Sequence, residues 1–149
     1  MNRRRIGRIA RLLNIEQKML DALVMDLAVA TRELSAQQQI LDGFKKSLAE
    51  NLESTSWKEP AAATVGTLEQ VTCWSNSIGQ SIAYATDQVS RTTSVRDQIV
   101  EKVTAQKRVV DGLEKLILKL NEQEDQDKQR IAIAEADDLF LQNSSGRKT

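Results

Sequence analysis

The chain has 149 residues, 21 basic and 21 acidic side chains, no histidine, one cysteine and 3% aromatic residues. Without histidine there is no ordinary general base, no Ser-His or Cys-His arrangement and no common imidazole metal ligand. A single cysteine, Cys73, excludes an internal disulfide or a cysteine zinc site and reads as a small half-buried residue. Aromatic rings normally supply much of a compact core. Here alanine, glutamine, leucine, lysine and glutamate dominate instead, all good helix formers, a composition of extended helix.

The chain opens with "MNRRRIGRIARLLN", arginine-rich and free of acids before Glu16. Such a segment suits a targeting peptide or a basic patch for lipid or nucleic acid. Ile6, Ile9 and Leu13 already share the register of the residues that follow, so it reads as the start of the first helix. One set of seam positions is Ile6, Leu13, Leu20, Leu27, Leu34, Leu41 and Leu48, all apolar. The companion set is Ile9, Glu16, Leu23, Ala30, Gln37, Phe44 and Asn51. Spacing of about 3.5 residues keeps such a stripe turned toward one partner helix along its whole length. The first arm is expected over residues 6–52. Within it Val24, Met25 and Val29 are apolar but lie off the seam, which suits contact with a third element or scattered exposure.

The repeat breaks at "NLESTSWKEPAAATVGTLEQ". Pro60 disfavours helix at Glu59, and the Ser/Thr cluster competes for backbone hydrogen bonds. Thr67 followed by Gln70 resembles a capping box opening a second helix. A second seam then runs through Leu68, Ser75, Ile82, Val89, Arg96, Val103, Val110, Ile117, Glu124 and Ile131. Its companion set is Val71, Ile78, Ala85, Thr92, Ile99, Gln106, Leu113, Leu120, Asp127 and Ala134. Polar residues interrupt it at "TDQVSRTTSVRD" and "EQEDQDK", places that fix register or loosen packing.

Two seams in one chain cover each other most simply as an antiparallel hairpin. The expected fold is therefore all-α: a long two-helix coiled coil forming one domain over 1–149, with arm one at 6–52, a small tip at 53–84, arm two at 67–140 and a disordered tail at 141–149. At a rise of about 1.5 Å per residue, the arms are on the order of 70 Å and 110 Å long. Either the second arm overhangs, leaving Ile117, Leu120 and Ile131 partly uncovered, or the segment from Trp57 to Tyr84 folds apart at the tip. Gly79 and the Ser/Thr-rich stretch after Tyr84 favour the tip. The seams also allow two chains to zip into a four-helix bundle, a homodimer.

No glycine-rich phosphate loop is present, and Glu122, Glu124, Asp125 and Asp127 are spread around a helix instead of enclosing an ion. No catalytic residue, cofactor site or metal site is expected, and no enzymatic activity. No apolar run of about 18 residues is present to cross a membrane. Three surfaces invite partners: the arginines Arg3, Arg4, Arg5, Arg8 and Arg11; the off-seam apolar stretch from Leu23 to Val29; and the tip with Trp57, Trp74, Ile78 and Ile82, the last three at steps of four. Nucleic acid is not an expected partner, because net charge is zero and no aromatic residues interleave with the arginines.

"IARLLNIEQKMLDALVMDLAVATREL", through Glu16, Asp21, Ala22, Asp26, Leu27, Ala28 and Ala30, is similar to the opening pattern of the FliJ family of flagellar export proteins. "LEKLILKLNEQEDQDKQRIAIAEADDLF" resembles that family's closing helix, with Ala136, Asp137, Asp138 and Leu139 at its final step. "IAIAEA" departs from the family by lacking basic residues there. The resemblance covers nearly the whole chain. It implies a non-enzymatic, stalk-like adaptor of a type III export apparatus, similar to the central stalk of rotary ATPases. The chain ends would enter a hexameric export ATPase ring and stimulate it. The tip would reach the membrane export gate, and export chaperones would be further partners. The implied location is cytoplasmic, peripheral to the inner face of the membrane. The arginines would face the ATPase, and Trp74, Ile78 and Ile82 the gate. The alternative is a generic coiled-coil scaffold or dimerisation protein without an ATPase partner.

Overall fold

The computed structural model describes residues 2–54 and 65–146, all of them helical. Helix α1 spans Asn2–Ser54 and helix α2 spans Val65–Gly146, and the two pack against each other as a helical hairpin. Pro60 and Trp57 lie outside the described residues. Of the segment expected to form a tip, residues 65–84 are the first turns of α2, which starts two residues before the expected cap at Thr67. The expected tail begins inside α2, which continues to Gly146.

The chain divides into two units. The middle unit is Leu23–Val103, and the terminal unit joins Met1–Ala22 to Thr104–Thr149.

In the middle unit the core consists of Ala30, Leu34 and Leu41 from α1 with Ala85, Thr92 and Val103 from α2. Each is a seam position of the heptad pattern. Phe44, Ile82, Val89 and Ile99, also on the seam, are half-buried. Burying a leucine contributes roughly 1.5–3 kcal/mol, so Leu34 and Leu41 are the large apolar anchors here. The polar seam residues meet each other: the Thr92 hydroxyl donates to Gln37 Oε1 across the two helices. A buried hydroxyl without a partner is costly, and this contact ties a polar position on each helix to one register. Arg96 also falls on the seam, but its guanidinium stays at the surface, 2.9 Å from Asp97.

α2 carries a second kind of polar economy in this unit. The hydroxyls of Thr72, Thr86 and Thr93 donate to the carbonyls of Leu68, Ile82 and Val89 at 2.8, 2.7 and 2.7 Å, each four residues back. Val24, Met25 and Val29 are exposed, and Cys73, expected half-buried, is exposed as well.

In the terminal unit Val110 and Leu120 are buried, and Ile6, Ile9, Leu13, Leu20, Leu113 and Ile117 are half-buried. Gln106 Nε2 donates to the Glu16 carbonyl at 2.9 Å and to Glu16 Oε2. Near the start of α1, Arg3 Nε lies 3.6 Å from Glu124 Oε1. Numbering that rises in α1 and falls in α2 makes the pair antiparallel in this unit. Among the residues of α2 whose burial is described, Glu124 is the last half-buried one, and every residue over 125–144 is exposed. Of the two arrangements that the unequal arms allowed, an overhang is present, but it begins beyond Glu124. Leu120 is buried and Ile117 half-buried, whereas Ile131 is 59% exposed. The segment Asp125–Gly146 extends for about 33 Å at the helical rise.

Candidate partner-binding surfaces

The arginine cluster is placed by the first turns of α1. Arg5 occupies the position just before seam residue Ile6, and Arg3, Arg4, Arg8 and Arg11 line a shallow open depression with Gly7. All five arginines are exposed. Their forked donors fit carboxylates or phosphates, and in an open setting their field acts mainly on encounter and orientation. The structure also brings in a neighbour that the sequence did not connect to them. Arg3 shares a second depression with Ile6, Asn121, Glu124, Asp125 and Lys128. One edge of the cluster therefore touches acids of α2, and Arg3 is partly engaged there.

Trp74, Ile78 and Ile82 do not form a free apolar face. Ile78 and Ile82 are seam positions and all three residues are half-buried. Trp74 joins Asn51, Leu52, Thr67, Gln70 and Val71 around a depression between the two helices of the middle unit. A second groove in this unit is lined by Gln37, Ile40, Phe44, Tyr84, Ala85 and Gln88. It leaves Tyr84 69% and Ile40 56% exposed. Sequence reasoning passed over both, because it followed the seam and each stands one residue before a seam position, Leu41 or Ala85. The signal available was that a bulky apolar residue off the seam accompanies a buried one at the next position.

Among the described residues no group of three or more histidine, cysteine, aspartate or glutamate side chains is placed to hold a metal ion. None of the described helices is long and apolar enough to cross a membrane. The surfaces on offer are apolar grooves and charged helix faces, suited to docking other macromolecules.

Neither a curated protein nor a solved structure matches the chain in comparison. The family model described as flagellar FliJ protein matches residues 5–149, nearly the whole sequence, and so includes α2, all but the first three residues of α1, and three of the five N-terminal arginines, Arg5, Arg8 and Arg11. The chain thus belongs to the FliJ family, whose members are non-catalytic components of flagellar type III protein export.

Proposed function

We propose that the protein is a stalk-like adaptor of the flagellar export apparatus, which binds the hexameric export ATPase, stimulates it and couples it to the export gate and to export chaperones. The observation that carries this reading is the terminal unit. There the arginines of α1 line the end of the paired part, and α2 runs on past them uncovered from just beyond Glu124, offering an exposed, highly charged end. Arg3, Arg4, Arg5, Arg8 and Arg11 are the ATPase-facing residues of this proposal, with acids on the ring as their counterparts. Trp74, Ile78 and Ile82, joined by the more exposed Tyr84 and Ile40, are the gate-facing group. The working location is cytoplasmic, at the inner face of the membrane beside the export machinery.

The mechanism asked of this chain is positional. Guanidinium groups set the orientation of encounter, and two packed helices transmit a fixed arrangement better than one. The test is ATP turnover by the cognate export ATPase with and without the purified chain. Turnover should rise, and Arg8→Glu with Arg11→Glu should reduce the effect by roughly tenfold in half-maximal concentration. No rise in turnover together with no co-sedimentation would refute the proposal.

A further inference from the structure

Up to Glu124, the exposed side chains of the terminal unit are sorted between the two flat sides of its helix pair. Leu12, Ile15, Met19 and Ala22 of α1 follow one another at steps of three and four, so they form one stripe. Ala105, Val109, Gly112 and Leu116 do the same on α2. Leu12 and Met19 stand just before seam residues Leu13 and Leu20, as Val109 and Leu116 stand just before Val110 and Ile117. Corresponding flanks of two antiparallel heptads lie on the same side of the pair. Glu16 and Gln106, the companion-set residues beside these stripes, hydrogen-bond to each other there. Leu12, Ile15, Met19 and Val109 are 45%, 57%, 54% and 45% exposed, and Leu116 is half-buried. Nothing stands within 4 Å of where a Cβ on Gly112 would lie. This side is an open aliphatic strip, two helices wide.

Charge follows the same division. Arg5 and Arg8 continue the α1 stripe, and Lys119 continues that of α2. Arg4, Arg11 and Lys18, at steps of seven, run along the outer edge of α1, and Arg108 and Lys115 along that of α2. All eight are exposed. Among the described residues of the pair, Glu122 is the one exposed acid on this side or its edges. The opposite side presents Asn14, Gln17 and Asp21 of α1 with Asp111, Glu114 and Asn121 of α2. Its bases are Lys107 and Arg3, the latter beside Glu124, and its one large exposed apolar residue is Leu118.

We infer that the strip side of the terminal unit lies flat on an anionic lipid surface. An aliphatic strip edged by arginine and lysine, with a polar and acid-bearing back, is the pattern of helices that rest in the membrane interface. Leu12, Ile15, Met19, Val109 and Leu116 enter between headgroups, while the basic side chains at both edges reach out to lipid phosphates. Tryptophan and tyrosine lead in protein-binding hot spots, and the strip contains neither. Its flexible aliphatic side chains suit a fluid partner better than a shaped one. A second copy of the same side would set basic edges against basic edges, which repel. No described helix is able to cross a bilayer, so the contact is peripheral. The zero net charge of the chain does not oppose it, because beyond about 10 Å salt screens the acids elsewhere. Arg8 and Arg11 serve both this contact and the ATPase contact assigned above, so the two compete; the lipid contact does not depend on that assignment.

Co-sedimentation of the full chain with vesicles tests the inference, with circular dichroism to confirm that each variant is helical. The wild type should bind phosphatidylcholine–phosphatidylglycerol vesicles, less as salt is raised, and leave pure phosphatidylcholine vesicles alone. Arg11→Glu with Lys18→Glu should raise the Kd by at least roughly tenfold. Leu12→Gln with Met19→Gln should weaken binding by roughly tenfold, and Gly112→Leu should tighten it by roughly threefold, since affinity follows the apolar area inserted. In a Cys73→Ser background, a polarity-sensitive fluorophore attached at Met19→Cys should shift to the blue on anionic vesicles, and one at Leu118→Cys should not. A wild type that ignores anionic vesicles at low salt overturns the inference, and so does one that instead binds duplex DNA or an acidic amphipathic peptide. Binding indifferent to Leu12 and Met19 overturns it too, because the arginines then act as a cationic cluster alone. Fluorophores that respond alike on both sides do the same. ATP turnover measured without lipid reads the ATPase proposal separately, so the failure of either is distinguishable.

Discussion

The middle and terminal units are built on the same heptad pattern but spend it differently. In the middle unit small residues, Ala30 and Ala85, stand among the buried seam positions, and Leu34, Leu41 and Val103 are buried beside them. Its buried seam polarity is neutral, the Thr92 hydroxyl being satisfied by the Gln37 amide, and the charge of Arg96 stays at the surface beside Asp97. In the terminal unit the seam includes charged Glu16 and Glu124, fewer residues are fully buried, and one helix continues alone past the other. Seam rhythm alone does not set burial. What stands opposite the stripe decides whether it becomes core or surface. Stability should therefore concentrate in the middle unit, and charge-directed binding in the terminal one.

The sharpest way to break this contrast is to put a charge into the middle core. Leu41→Asp should cost at least about 3 kcal/mol, since a carboxylate there is desolvated without a partner, and urea denaturation should show it. Leu34→Ala should cost about 2–4 kcal/mol by leaving a cavity. Leu120→Ala in the terminal unit should fall at or below the low end of that range, because its neighbours are only half-buried and can close in. Equal costs at Leu34 and Leu120 would abolish the distinction between the units.

Smaller substitutions sharpen it. Gln37→Ala alone should destabilise by about 1–2 kcal/mol, because it strands the Thr92 hydroxyl. Gln37→Leu combined with Thr92→Val should recover most of that loss, and a double-mutant cycle reads the coupling. Gly43→Ala should stabilise α1 by about 0.5–1 kcal/mol, since nothing lies within 4 Å of an added Cβ and helix propensity improves. In dilute monomer, Ile131→Asn should change stability by less than about 0.5 kcal/mol, because this side chain is mostly in water. Arg3→Ala should do no more, its pair with Glu124 being exposed on the arginine side. Amide hydrogen exchange completes the series. The backbone of 125–144 should exchange far faster than that of the residues around Leu34 or Val103, because a lone helix of this length is only marginally stable in water.

Much of the fold was legible in the sequence because a heptad repeat is a one-dimensional signal. Every seam position from Ile6 to Leu48 in the first set is buried or half-buried, and in the companion set only Asn51 is exposed. The pairing of polar residues was not legible. "TDQVSRTTSVRD" read as a weak place, yet Thr92 finds Gln37 and Gln106 finds Glu16. Which residue faces which depends on the register of the connection, and periodicity says nothing about register. The extent of arm two was unclear for a related reason. A heptad repeat marks a stripe fit for covering without marking where the cover ends, so Ile131 looked like Val110. For the candidate surfaces, the arginines were legible as a charge run. Trp74, Ile78 and Ile82 were picked by residue type and spacing, which cannot separate a seam from a free face. Tyr84 and Ile40 stand off the seam and were missed.

The threonines at 72, 86 and 93 have a further effect on how a neighbour meets α2. Each has given its one hydroxyl proton to its own helix, leaving a methyl group as the prominent outward feature. They recur at steps of seven and fourteen, so they form one line beside the seam, counted as hydrophilic by any composition scale yet short of donors to offer. Water gains little by staying on such a line, and an approaching surface is asked for shape more than for hydrogen bonds. A stretch that looks wet on paper is, to the touch of another protein, comparatively dry.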